Sequence, residues 1–229
     1  MGFYRGPNIV TDGLVLALDA ASERSYPGTG TTWTDLTGNQ NNASLTNVVW
    51  SSDYNGIMQF EDTADHASLS AGFGTGTTNV TWSFWIKIPN WGNYQYLVDN
   101  SPGSDGFGIR TRNDVGKELE SFAYYDNSGS VRVQTRNDEL STDTWYNYVV
   151  QFTSGSNGII SYLNGGNKLE TSGSIGSIDY STSITAIGSE YGGGADLIND
   201  MAIIHYYDRV ITEAEVKQNY NALKSRFGL

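Results

Sequence analysis

Apolar side chains recur at every second position between residues 80 and 88, with Val80, Trp82, Phe84, Ile86 and Ile88 on one side and Thr81, Ser83, Trp85 and Lys87 on the other. A two-residue repeat sends alternate side chains to opposite faces of an extended chain, so the segment predicts a strand that buries one face. Residues 145–152 repeat the pattern, with Tyr146, Tyr148, Val150 and Phe152 set against Asn147, Val149 and Gln151. Asn164-Gly165, between GIISYL and NKLE, predicts a hairpin with arms at 158–163 and 167–171, because a type I′ turn needs positive φ at both central positions. Further strands are predicted at 14–19, 44–50, 57–61, 94–98, 107–112, 119–125, 131–136, 184–188 and 200–207, a spacing that suits a sandwich of antiparallel sheets.

Helical periodicity is clear only at the C-terminus. Val216, Tyr220, Leu223 and Phe227 form one apolar stripe, and Thr212 with Glu215 three residues on makes a capping box. Glu213 and Glu215 stand at the positive end of the dipole, Lys224 and Arg226 at the negative end, and Gly228 closes the segment. The predicted helix is 212–227, docked on the sandwich. Residues 1–12 read as an N-terminal arm, and 1–229 as one all-β domain, since a sandwich commonly uses such a length as one unit.

Composition narrows the function classes. The 229 residues carry 13 Lys+Arg against 25 Asp+Glu, a net charge of −12, which argues against unaided nucleic-acid binding. Hydrophobic residues make up 38% and charged residues 17%, so the chain folds, yet no run approaches the ~20 apolar residues of a membrane span. With no cysteine there are no disulfides, thiolate metal sites or thiol nucleophiles. The opening MGFYRGPNIVTDG lacks the apolar segment of a secretory signal, so synthesis without export is expected.

Candidate chemistry is sparse. No G-x-S-x-G, H-E-x-x-H or G-x-x-x-x-G-K-[ST] occurs, and the two histidines, His66 and His205, read as a loop residue and an ordinary sheet position. No Lys or Arg lies between Arg24 and Lys87, whereas Asp35, Asp53, Glu61, Asp62 and Asp65 do. That stretch reads as a solubilising acidic face or as oxygen ligands for Ca²⁺. Sugar binding uses aromatic faces against C–H groups with polar groups nearby. Three loops suit it: PNWGNYQY with Trp91, Tyr94 and Tyr96, AYYDNSG with Tyr124, Tyr125 and Asp126, and SEYGGGAD with Glu190, Tyr191 and Asp196. The ligand candidates are Trp91, Tyr94, Tyr124, Tyr125, Tyr191 and Asp196, each weighed against simple packing. Trp82, Phe84, Trp145 and Tyr148 are assigned to packing.

Taken in order, GLVLALDA, TTWTDLTGNQNNASLTN, MQFEDTADHASL, VTWSFWIKI, WYNYVVQF with SYLNGG, and INDMAIIHYYDRVITEAEVKQNYNAL resemble the laminin-G-like, concanavalin A-like jelly roll, in the version common in virion proteins of tailed phages. The resemblance implies two face-to-face antiparallel sheets with the first and last strands adjacent, GLVLALDA beside MAIIHYYDR. It also implies that Asp19 and Asp200 match positions that hold a structural Ca²⁺ in many relatives. Its functional implication is a non-enzymatic virion structural protein, a capsid decoration or tail appendage. Such a protein binds other virion proteins, touches cell-surface glycans and forms a homo-oligomer, and it resides in the virion after synthesis in the host cytoplasm. A soluble carbohydrate-binding module is the alternative. A third reading is a polysaccharide hydrolase or lyase of the same fold. Its retaining members need paired carboxylates ~5 Å apart on one strand; here Glu118 and Glu120 share a face, but no third acid completes the E-x-D-x-x-E pattern.

Overall fold

The computed structural model describes residues 7–70, 73, 78–92, 94–114, 116–127, 129–138, 140–179, 184–190 and 199–229. In chain order the strands are β1 (Leu14–Asp19), β2 (Thr32–Trp33), β3 (Ala43–Thr46), β4 (Val49–Ser51), β5 (Ile57–Phe60), β6 (His66–Leu69), β7 (Val80–Lys87) and β8 (Tyr96–Asn100). They continue as β9 (Phe107–Arg112), β10 (Glu118–Tyr125), β11 (Ser130–Arg136), β12 (Trp145–Phe152), β13 (Ile159–Leu163), β14 (Gly166–Thr171), β15 (Thr185–Ile187) and β16 (Asn199–Tyr207). Helix α1 (Glu213–Leu223) follows, then a 3₁₀ turn at Lys224–Phe227.

The strands form two antiparallel sheets. One runs β14-β13-β12-β7-β16-β5-β4, with β1 also on β16, and the other β11-β10-β9-β8-β15-β6-β3-β2. The expected adjacency of first and last strands holds: Ala17 pairs with His205 and Leu18 with Ile204. Between the sheets, Trp82 stacks on Phe84 with centroids 5.8 Å apart and meets Tyr206 at 4.8 Å.

The alternation in β7 and β12 points the expected residues inward, but both strands bury both faces. The outer face of this sheet is covered as well. Val10, Val149, Tyr207, Ile211 and Val216 form one apolar cluster there, and Trp85, Trp145, Ile203 and Phe227 another. Polar residues on that face are satisfied by the covering chain: Gln151 donates to the Ile211 carbonyl at 2.6 Å, and Thr81 to that of Arg209 at 2.8 Å.

The single strand expected at 44–50 is two strands, β3 and β4, in different sheets. The chain crosses between the layers at Asn47, whose φ of 56° lies in the left-handed region that Asn tolerates. The short strands β2 and β6 were not anticipated, and His66 lies on β6 rather than in a loop. The capping box at Thr212 and Glu215 is present.

The hairpin turn is as expected, with Asn164 at φ 52° and Gly165 at φ 72°. A Cβ on Gly165 would sit 2.6 Å from the Tyr220 Cβ and ring, so a side chain there meets both backbone strain and helix α1. Gly165→Ala is expected to cost about 2 kcal/mol in urea unfolding. A loss under about 0.5 kcal/mol would mean that the helix docks more loosely than this contact requires.

Candidate functional site

The strongest constellation of side chains lies on the outer face of the second sheet. Period two puts Arg110 and Arg112 of β9, Glu120, Phe122 and Tyr124 of β10, and Val131 and Val133 of β11 on that face, with Tyr96 of β8 opposite Arg110. Gly108, opposite Phe122, leaves room for its ring; a Cβ there would lie 2.5 Å from Phe122 Cζ. Tyr96, Arg110, Phe122, Tyr124, Val131 and Val133, together with Ser101, Gly103 and Glu190, line a cleft of about 380 Å³.

Arg110 organises the cleft. Its guanidinium lies 4.4 Å from the centroid of Tyr94, 5.3 Å from Tyr96 and 4.7 Å from Phe122. It donates to Tyr96 Oη at 2.6 Å and, through Nε, to Glu120 Oε1 at 2.7 Å. Arg112 donates to Glu120 Oε2 at 2.8 Å and to Asp114 Oδ1 at 3.0 Å. Burial opposes the Arg110 charge, but Tyr96 and Glu120 outweigh it and raise the guanidinium pKa. Burial likewise pushes the Tyr96 hydroxyl up to about 12, against the pull of Arg110, so it stays protonated and keeps a proton to donate. Chemically the cleft offers an aromatic and aliphatic floor, Phe122 edge-on to Tyr124 at 6.0 Å beside exposed Val131 and Val133, fenced by hydrogen-bonding groups.

The structure places the sequence-predicted residues unevenly. Tyr94 backs Arg110, and Tyr124 and Glu190 line the cleft, so all three predicted loops contribute to one place. Trp91 is a correction: only 7% exposed, it belongs to the main core cluster and offers no face to a ligand. Tyr125 also falls away from the cleft, because period two turns it inward, where it packs against the core with Arg132 5.7 Å from its ring. Tyr191 and Asp196 lie outside the described residues. Arg110, Arg112, Phe122, Val131 and Val133 were missed. The alternation through 107–112 and 119–125 carried the signal, but the pairing that unites them was not legible. Glu118 and Glu120 share the face as expected, yet both Glu120 oxygens accept from arginine.

Asp19 and Asp200 are each engaged by a basic side chain of the chain itself. Asp19 Oδ1 accepts from Arg226 at 2.7 Å and from the Ala21 amide at 2.9 Å, while Asp200 pairs with Lys87 Nζ at 2.8 Å. Each carboxylate has its own cation, and the described residues hold no group of three or more His, Asp or Glu that could ligate a metal. In the acidic stretch, Asp35 and Asp65 accept backbone amides instead: Asp35 those of Ala17 and Thr37, Asp65 those of Glu61 and Asp62.

Two antiparallel sheets with a cleft of aromatic and hydrogen-bonding groups on one outer face make this a lectin-like jelly roll. The chain belongs to the concanavalin A-like lectin/glucanases superfamily, whose family profile matches residues 61–217. No curated protein matches it by sequence. Among solved structures it is similar to the binding domain of Paraclostridial Mosquitocidal Protein 1, at 17% identity and TM-score 0.71 over 92% of this chain and 52% of that one. The receptor-binding domain of botulinum neurotoxin C/D mosaic serotype is similar at 14% identity and TM-score 0.68, over 91% of this chain and 51% of that one. So is domain 4 of AbnA, a GH43 extracellular arabinanase from Geobacillus stearothermophilus, in complex with arabinotriose. Its identity is 14% and its TM-score 0.68, over 90% of this chain and 98% of that one. The chain thus spans about half the length of the two toxin domains and nearly all of the arabinanase domain. At these identities the likeness is one of fold.

Proposed function

We propose that this chain is a non-catalytic glycan-binding domain whose ligand seats in the Arg110 cleft. The observation that carries the reading is the Arg110 clamp. It holds Tyr94, Tyr96, Phe122 and Glu120 in one fixed array, beside an aromatic and aliphatic floor that can take the C–H face of a sugar. Two fold neighbours named as receptor-binding or binding domains, and one solved with arabinotriose, support it. The engagement of Glu120 by two arginines favours binding over hydrolysis. The deployment we propose is the one the sequence resemblance implies, on a tailed-phage virion, where many copies make weak glycan contacts effective through avidity. Mass spectrometry of purified virions that finds no such chain would reject that placement without touching the cleft.

Arabinotriose and a panel of neutral oligosaccharides are the probes. Tyr124→Ala is expected to weaken binding about tenfold, by removal of one stacking face, with the melting temperature unchanged. Absence of binding across the panel, or full affinity in a Tyr124→Ala/Val133→Asp variant, would overturn the reading.

A further inference from the structure

A second cavity of about 380 Å³ opens on the opposite sheet. Its floor is Leu14 and Ala17 of β1 with Ile203 and His205 of β16, and its walls are Leu36 and Thr37 on one side and Leu223 of α1 on the other, with Asp19 at one end. The walls are held in place from outside the cavity. The Val15 carbonyl accepts from Thr37 Oγ1 at 3.1 Å and from Asn39 and Asn41 at 3.0 Å each, fixing the 35–41 loop over β1. Asn219 of α1 accepts from the Val10 amide at 2.8 Å and donates to Tyr207 Oη at 3.0 Å. A preformed, mainly apolar hollow of this size lies at the lower end of small-molecule sites.

His205 is the feature that packing does not explain. It is 5% exposed, lines the cavity, and takes no hydrogen bond among the described residues. Its ring nitrogens face the open cavity rather than sealed protein interior, so a ligand seated there can bond to them. We propose that this cavity is a second ligand site, for a small uncharged molecule with an apolar body and one hydroxyl group that bonds to the His205 imidazole.

The chemistry of the polar end selects that class. Burial holds the His205 imidazole down at about 4, against the opposing pull of Asp19, so at neutral pH the ring is uncharged and has one donor and one acceptor nitrogen. A hydroxyl can answer either nitrogen. A ligand carboxylate would meet a neutral ring and the Asp19 carboxylate, with Arg226 already bonded to Asp19 and to the Tyr54 and Gly56 carbonyls. The apolar remainder would contact Leu14, Leu36, Ile203 and Leu223.

The chain has two histidines, so nuclear magnetic resonance of their ring protons gives a local reporter and an internal reference. Titration of the full chain with 4-ethylphenol is expected to shift the His205 resonances saturably and leave those of His66 in place. His205→Gln identifies the signals. 4-Methylbenzoate should bind at least about tenfold more weakly, since its charge must be desolvated without a free cation. Leu36→Trp and Leu223→Trp each fill the cavity from a different wall, and either one, when folded, should abolish the shift. No saturable His205 shift with 4-ethylphenol, equal binding of the benzoate, or undiminished affinity in a folded tryptophan variant would each overturn the proposal.

Discussion

Phe227→Ala is expected to cost about 3–5 kcal/mol and to lower the melting temperature by roughly 10 °C, although the residue stands two positions from the end of the chain. Chain ends usually fray. This one is locked: Phe227 is 6% exposed, stacks on Trp85 at 4.2 Å and meets Trp145 at a tilt with centroids 4.6 Å apart, against the outer face of the first sheet. The neighbouring Arg226 donates to the Tyr54 carbonyl at 2.7 Å and to Asp19 Oδ1 at 2.7 Å, so side-chain bonds hold the backbone where the ring must sit. Truncating Phe227 therefore opens a cavity among Trp85, Trp145 and Tyr54, whose ring lies 6.2 Å away, and a fixed backbone cannot collapse into it. Leu229→Ala, at a residue 45% exposed, is the control and should change stability by less than about 0.5 kcal/mol. Urea unfolding followed by tryptophan fluorescence reads both. A Phe227→Ala loss below about 1 kcal/mol would show that the last turn is not part of the cooperative unit.

The second large effect is expected at Glu120. Its side chain is 3% exposed and bridges Arg110 and Arg112, which are 21% and 24% exposed. Removing a carboxylate from such a cluster leaves like charges facing each other without their partner, and Glu120→Ala should cost about 3 kcal/mol. Arg112 retains Asp114 and reaches water, so most of the loss falls on Arg110. A double-mutant cycle isolates the term: Arg110→Met in the Glu120→Ala background should recover part of the loss, with a coupling of at least about 1 kcal/mol. Additive single losses would contradict the clamp. The same variants tie the clamp to the proposed site, since its loss should weaken glycan affinity and stability together.

Local pattern made much of the fold legible. The two-residue repeats of β7 and β12, the Asn164-Gly165 turn and the Thr212 capping box each carry their signal within a few residues, and all are present. What escaped depends on partners remote in sequence. Trp85 and Val149 read as the outer side of their strands and are buried, because α1 and the N-terminal arm cover them. Asn47 breaks an apparently continuous strand between two sheets, which no periodicity marks. The cleft behaved similarly. Loop aromatics mark the end of the sandwich where the cleft lies, but pattern alone does not separate Trp91 from Tyr94, and only the pairing of β8 with β9 shows that one is core and the other stacks on Arg110.

Both ends of the described chain settle on one side of the sandwich. Asn8 and Val10 bond to α1 through Gln218 and Asn219, and Phe227 lies against the same sheet, whereas the Arg110 cleft opens from the other. The molecule therefore has a back and a front. A support that meets the molecule on the sheet covered by α1 leaves the cleft pointing outward into the medium, and crowding many copies on it would not bury the cleft.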